Sequence, residues 1–231
     1  MKRPFLAKFQ IMQMILEDRR ARLITRLDTI VTELKQLLIS DHLFWQLQEI
    51  VRSNENFKDQ PGLFTRWIAE NYSRAAAIGV RRQSKLNKDS ISLRGFLDEV
   101  KKFPDLISRD HYLSLYAGKE DWHKKMGRDD FDRVAGKGSS TIPISLVDKQ
   151  IDKIVTSSKS VENYVDRRIA HYDKREPAKP LPTFDDITTA LKAMEEIAIL
   201  YLRLLKGASM NTVTPTIVFD WDSVLRFAWK P

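Results

Sequence analysis

Residues 183–207, TFDDITTALKAMEEIAILYLRLLKG, carry the period of a helix and the signals for both of its ends. Thr183 with Asp186 three positions on is a capping box in its carboxylate form: the hydroxyl accepts from the first backbone N–H groups and the acid reaches back. Ile187, Leu191, Met194, Ala198, Tyr201 and Leu205 recur at threes and fours and so share one face. Arg203 and Lys206 stand in the last turn, where cations complement exposed carbonyls, and Gly207 supplies the stop. A helix with one apolar face must be covered by other helices or by a sheet.

No strand series exists that could build such a sheet. Residues from about Pro4 to Ser40 instead carry a helical pattern in Met12, Leu16, Leu23, Leu27, Ile30, Leu34 and Leu37, with Asp18, Arg19, Arg20 and Arg22 as a solvated charged face. Ser40-Asp41 reads as a break and an N-cap for a second, short helix from His42 to about Arg52. After a polar loop the period returns at Leu63 and runs through Trp67, Ile68, Tyr72, Ala75 and Ile78. Ala75-Ala76-Ala77 with Gly79 is small enough for a second helix to approach closely. Asp89 or Ser90 is expected to cap a helix from Ile91 to about Lys101, with Leu93, Phe96, Leu97 and Val100 inward, and Pro104 opens another short one. Residues 117–140 have low apolar density and several glycines, and are expected to form a loop or irregular insertion.

Thr141-Ile142-Pro143 starts a long helix through Leu146, Ile151, Ile154 and Val155, with Ser157-Ser158 as a point where it can bend or break. Pro177, Pro180 and Pro182 forbid its continuation. Beyond Thr212, Ile217, Phe219 and Trp221 alternate and Phe227 and Trp229 follow, which predicts an extended tail lying back on the helices. The expected fold class is therefore all-α: one helical-bundle domain over residues 1–231, long helices with short accessory ones, and an extended aromatic tail over 208–231.

The chain has 231 residues and a formal net charge of +8, with a sequence pI near 9.6. That charge makes a polyanionic partner plausible without proving one. The absence of cysteine excludes a disulfide scaffold, a cysteine nucleophile and a zinc–cysteine site, and fits a reducing compartment. No apolar run has the length of a signal peptide or a membrane span, so the expectation is a soluble, cytoplasmic protein with no membrane contact.

Motif tests remove most catalytic chemistries. Ala135-Gly136-Lys137-Gly138-Ser139-Ser140 resembles a phosphate loop, but Phe131 stands where the first glycine belongs and Gly138 replaces the magnesium-binding hydroxyl. Asp129, Asp130 and Asp132 lack a calcium-loop pattern, His111 and His123 lack a shared metal-ligand spacing, and no serine sits in a nucleophile elbow. No metal and no cofactor is expected. Two basic ledges are left. Arg74 and Arg81 are seven residues apart on one helix face, with Arg82 beside them. The second lies in Tyr164-Val165-Asp166-Arg167-Arg168-Ile169-Ala170-His171-Tyr172-Asp173-Lys174, where an α-helix would put Arg167, Arg168 and His171 near one face. Arginine binds phosphate oxygens and histidine moves a proton near neutral pH, which suits a phosphodiester. The same residues are also consistent with an exposed basic helix end whose histidine bonds to a neighbouring element.

Asp166-Arg167-Arg168-Ile169-Ala170-His171-Tyr172-Asp173 resembles the signature helix of HEPN domains, in particular the AbiU-type abortive-infection branch. Lys88-Asp89-Ser90-Ile91-Ser92-Leu93-Arg94-Gly95-Phe96-Leu97 is similar to that branch's mid-chain helix start, and Thr214-Pro215 through Phe219-Asp220-Trp221 to Phe227-Ala228-Trp229 to its aromatic tail. The resemblance implies a homodimer joined through the signature helices and a composite, metal-independent endoribonuclease site. It carries over His171 as the general acid–base but places no arginine here, so Arg167 and Arg168, on the same face, are expected to stand in as phosphate clamps. Tyr172, Asp173, Lys174, Arg74, Arg81 and Arg82 are expected to bind or orient RNA. The signature arginine usually stands five to seven positions before the histidine, and those positions are Asp166, Val165 and Tyr164 here. Three readings therefore stay open: a nuclease using Arg167 or Arg168, a non-catalytic module that binds RNA or nucleotide or pairs with an antitoxin or nucleotidyltransferase partner, and a structural dimerisation protein whose histidine and its neighbours hold the interface.

Overall fold

The computed structural model describes residues 3–54, 62–169, 174, 181–217 and 220–223, with side chains from residue 10 onward. Its first element, α1 (Arg3–Ser53), is a single helix of 51 residues. The break expected at Ser40-Asp41 is absent, because neither residue turns back to cap. Ser40 Oγ donates to the Gln36 carbonyl one turn earlier at 2.9 Å. Asp41 is only 7% exposed and accepts hydrogen bonds from the hydroxyls of Tyr72 and Thr188. A polar pair that reads as punctuation is here an exposed serine followed by a buried junction at Asp41.

Helix α2 (Leu63–Ser84) follows, then α3 (Leu93–Lys102), a 3₁₀ turn at Pro104–Ile107, α4 (Arg109–Ser114), α5 (Asp121–Ala135), α6 (Ile144–Tyr164) and α7 (Phe184–Lys206). Among the described residues there is no β-strand, only an isolated bridge between Ser108 and Thr141. The fold is an all-α bundle. Helix α7 runs through its core against α1, α2 and α6 and buries Ile187, Leu191, Met194, Ala198, Tyr201 and Leu205, the face read from its sequence. Its capping box is formed as expected: Asp186 N–H donates to Thr183 Oγ1 at 3.2 Å and Thr183 N–H to Asp186 Oδ2 at 2.7 Å. The close approach expected at Gly79 is against α1, where a Cβ on Gly79 would come within 2.4 Å of Leu37 Cδ2. The buried face of α2 is Tyr72, Ala76, Gly79, Val80 and Gln83, however, and Trp67, Ala75 and Ile78 are exposed.

Two further expectations are corrected. Residues 117–140 are not an irregular insertion, because α5 fills 121–135. Its buried residues are Gly127, Phe131 and Ala135, one per turn and two of them small, with Val134 partly buried against the core. Gly127 is required by the Tyr116 ring, 2.9 Å from where a Cβ would stand. So thin an apolar stripe carries little signal in sequence. The cap of α3 is Ser92, whose Oγ accepts from Gly95 N–H at 3.1 Å, rather than Asp89 or Ser90, and Leu93, Phe96, Leu97 and Val100 point inward as expected.

In the tail, Val213 is buried and donates its N–H to Glu195 Oε1 at 2.8 Å, and Trp221 Nε1 donates to Gln46 Oε1 at 3.1 Å. Phe219, Phe227 and Trp229 lie outside the described residues. No described helix is long and apolar enough to cross a membrane.

The last turn of α7 leaves carbonyls without helical partners. His111 Nε2 donates to one of them, Leu205 O, at 3.1 Å. Burial holds this imidazole below its ordinary range; the carbonyl bond opposes that shift and nearby Arg20 adds to it. With the folded pKa below the unfolded value of about 6.5, the unfolded chain binds the proton first as pH falls. Stability linked to His111 is therefore full above about pH 6.5 and declines below it. Thermal unfolding at pH 5.5 is expected at a lower temperature than at pH 7.5. His111→Gln, which keeps the donor and cannot titrate, is expected to flatten the difference, and an unchanged pH profile would assign the effect to other groups.

Candidate functional site

Helix α6 passes Ser157-Ser158 without a break: Ser158 is buried and its Oγ donates to the Ile154 carbonyl at 2.7 Å. The irregularity comes later, where α6 widens into a π-helical turn at Val165–Ile169. Such a turn adds a residue to the helical ring and is frequent at functional sites. The 3.6-residue spacing that put Arg167, Arg168 and His171 on one ledge does not hold through it. Arg167 and Arg168 both lie on this turn, half-buried, while Val165 seats it in the core. His171, Tyr172 and Asp173 lie outside the described residues, and Lys174 is exposed.

A charge cluster fastens the turn to α2. Arg81 Nε donates to Asp166 Oδ1, and Lys85 Nζ lies 3.2 Å from Asp166 Oδ2 and 3.3 Å from Glu162 Oε2. Arg81 in the last turn of α2 and Lys85 at its C-cap are four residues apart, as are Glu162 and Asp166 across the end of α6, so two cations face two carboxylates. Burial raises the Asp166 carboxyl, but the hydrogen bonds from Arg81 and Lys85 outweigh it and hold the group below the usual carboxylate value. Burial lowers the Lys85 ammonium, and its bonds to Asp166 and Glu162 outweigh that and raise it.

The ledge expected on α2 is thereby divided. Arg81 reaches the turn that carries Arg167 and Arg168. Arg82 pairs instead with Glu33 on α1, which also accepts from Gln83 Nε2 at 2.6 Å. Arg74 is exposed on the outer surface of α2. Lys85 and Glu162 were not among the sequence candidates. The signal available was the matching i, i+4 pairs of like charge, Arg81/Lys85 and Glu162/Asp166, which only become complementary once α2 and α6 are known to face each other.

Arg167 opens onto a cleft of about 500 Å³ between the second half of α6 and the start of α7. Thr156, Ser160, Asn163 and Arg167 line it at spacings of four, three and four, with Lys159 and Tyr164 beside them. Among the described residues neither Arg167 nor Lys159 has an ion-pair or hydrogen-bond partner, in contrast to Arg81, Lys85 and Arg82. The only carboxylate among the described lining residues is Asp186, which accepts from the backbone and hydroxyl of Thr183. The turn thus exposes an uncompensated guanidinium to a cleft that mixes hydroxyl and amide groups with apolar surface, an arrangement suited to phosphate at its cationic end.

The other charged clusters are built into the scaffold. Asp132 accepts from Arg109 and from Gly138 N–H, and Asp130 pairs with Arg133 at 3.0 Å. Among the described residues no group of three or more acidic or histidine side chains is placed to hold a metal ion. The family model HEPN_AbiU2, described as AbiU2, matches residues 22–229. No curated protein and no solved structure gives a match.

Proposed function

Because the chain belongs to the AbiU2 family of HEPN domains, matched over nearly its whole length, we propose that it is a metal-independent endoribonuclease of a phage-defence or toxin-type system, acting at a homodimer interface. The observation that supports this reading best is the half-buried, uncompensated Arg167 on a π-helical turn that Asp166, Arg81 and Lys85 fasten to the bundle. In the reaction, a base takes the proton of a ribose 2′-hydroxyl. The oxygen attacks the adjacent phosphorus, a 2′,3′-cyclic phosphate forms, the bond to the 5′-oxygen breaks, and an acid returns a proton to that oxygen. His171 is the acid–base in this scheme. A single site histidine per chain cannot take both parts at once, and a dimer supplies the second. Arg167 and Arg168 carry the charge that accumulates on the phosphorane. Arg81 acts through Asp166 by holding the turn.

A second reading has its own support. Asp166 occupies the place five residues before His171 and is committed to Arg81 and Lys85. This favours a module that keeps RNA or nucleotide binding, or an antitoxin-type partner, without cleavage. Incubation of the purified protein with total RNA and a tRNA pool in EDTA separates the two. Cleavage leaving 2′,3′-cyclic phosphate ends, absent with His171→Ala, is the expected result. Intact RNA from a folded dimer would overturn the nuclease reading in favour of the second.

A further inference from the structure

We infer that the cleft between α6 and the start of α7 is a subsite for single-stranded nucleic acid, engaging at least two phosphates and one base. The inference takes only its choice of ligand from the proposed action on RNA. Two cations open on this cleft, and among the described residues neither is neutralised. A buried-edge guanidinium and an exposed ammonium in this state are available to an anion, whereas Arg81, Lys85 and Arg82 are already committed to carboxylates. Lys159 and Arg167 are eight residues apart along the end of α6, on the order of 10 Å, with the start of the π-helical turn between them. That offset suits a ligand whose own charges are spaced along a backbone better than one phosphate ion.

Between the two cations the wall presents Ser160 and Asn163, which can donate to and accept from ribose hydroxyls and base edges. The remaining lining is of a different kind. Tyr164 on α6 and Leu181 and Pro182 before α7 give the cleft an apolar surface. Splayed bases stack on such surfaces, and sequence-tolerant single-strand sites combine them with a cationic track. An acidic peptide would match the charges but has no use for the aromatic and apolar wall. The volume of about 500 Å³ is that of an ordinary small-ligand site.

The test measures binding, not cleavage. A fluorescent, short, single-stranded oligoribonucleotide fully 2′-O-methylated cannot be cut through its 2′-hydroxyl, and its anisotropy is followed against salt concentration with the full-length protein. Two variants avoid every residue assigned to the reaction. Lys159→Gln, at an exposed position, is expected to make the slope of log K against log salt shallower by about 0.7, the release of one phosphate contact on a single strand. Thr189→Trp, on the α7 side of the cleft, fills the space for a base and is expected to weaken binding about tenfold, the loss of one stacked base. Circular dichroism checks that both variants are folded. Wild-type affinity in both folded variants would overturn the subsite, as would equal competition by adenosine monophosphate or by oligoglutamate, or no binding at all. EDTA-resistant cleavage with unaltered binding in the variants removes the subsite and leaves the nuclease. Binding that follows these changes in a protein that does not cut RNA removes the nuclease and leaves the subsite.

Discussion

Asp41→Ala is expected to lower the melting temperature by roughly 4–16 °C, more than the loss of any surface ion pair of the bundle. Asp41 is 7% exposed and joins three helices: its Oδ1 accepts from the Tyr72 hydroxyl on α2 and, at 2.7 Å, from Thr188 Oγ1 on α7. Thr188 in turn accepts from Trp45 Nε1 at 2.9 Å. The Tyr72 ring stacks on Phe44 at 4.0 Å between centroids and cannot swing out to find water without losing that contact. Burial, and then the bond to Asp41, raise the Tyr72 hydroxyl far above its ordinary range, so it stays a donor. Alanine would remove two charge-assisted bonds and strand a buried hydroxyl, a loss of about 2–4 kcal/mol, each kcal/mol being about 2–4 °C at this chain length. Asp41→Asn keeps an acceptor and is expected to recover about half. Tyr72→Phe strands no hydroxyl and leaves Asp41 its bond from Thr188, and is expected to cost less than Asp41→Ala. Thermal denaturation of the three variants gives the order, and an Asp41→Ala protein as stable as wild type would show that the junction contributes nothing.

This junction also marks where sequence stops determining structure. Ser-Asp is a sound N-cap signal, and only the arrival of Tyr72 and Thr188 from distant positions makes Asp41 worth more inside than at a helix end. The same limit governs the site. Helix α7 was legible completely, cap, face and stop, because everything that defines it is local. Helix α5 was not, because three buried residues over four turns leave no period to count. Arg81 was legible as a basic residue on a helix, but its partner Asp166 lies 85 positions away, and the separation of Arg81 from its neighbour Arg82 depends on which of α1 and α6 each one meets. The π-helical turn has no evident sequence mark at all, and it is the feature that invalidates simple helical spacing across the signature. What carried through was chemical type: arginines beside one another at the end of a long helix.

Arg167→Ala is expected to lower RNA cleavage by about 10²–10³-fold while shifting the melting temperature by no more than about 2 °C. Its guanidinium has no partner among the described residues, so its removal breaks nothing that holds the bundle and takes away only the charge it offers to the cleft. Arg81→Ala should behave differently. It leaves Asp166 with Lys85 alone and loosens the turn, so melting temperature and cleavage are expected to fall together. The pair's side chains are 38% and 36% exposed, and at that exposure it is worth at most about 1 kcal/mol, or about 2–4 °C. Arg81→Lys restores the charge and is expected to recover stability in part. Arg167→Lys keeps a cation but not the planar fork, so cleavage should return only in part. Melting curves and single-turnover cleavage on the four proteins make the distinction direct. A fall in both properties for Arg167→Ala would place that residue among the supports of the turn. Full cleavage by a stable Arg167→Ala would pass the phosphate to Arg168, whose own alanine variant then becomes the decisive one.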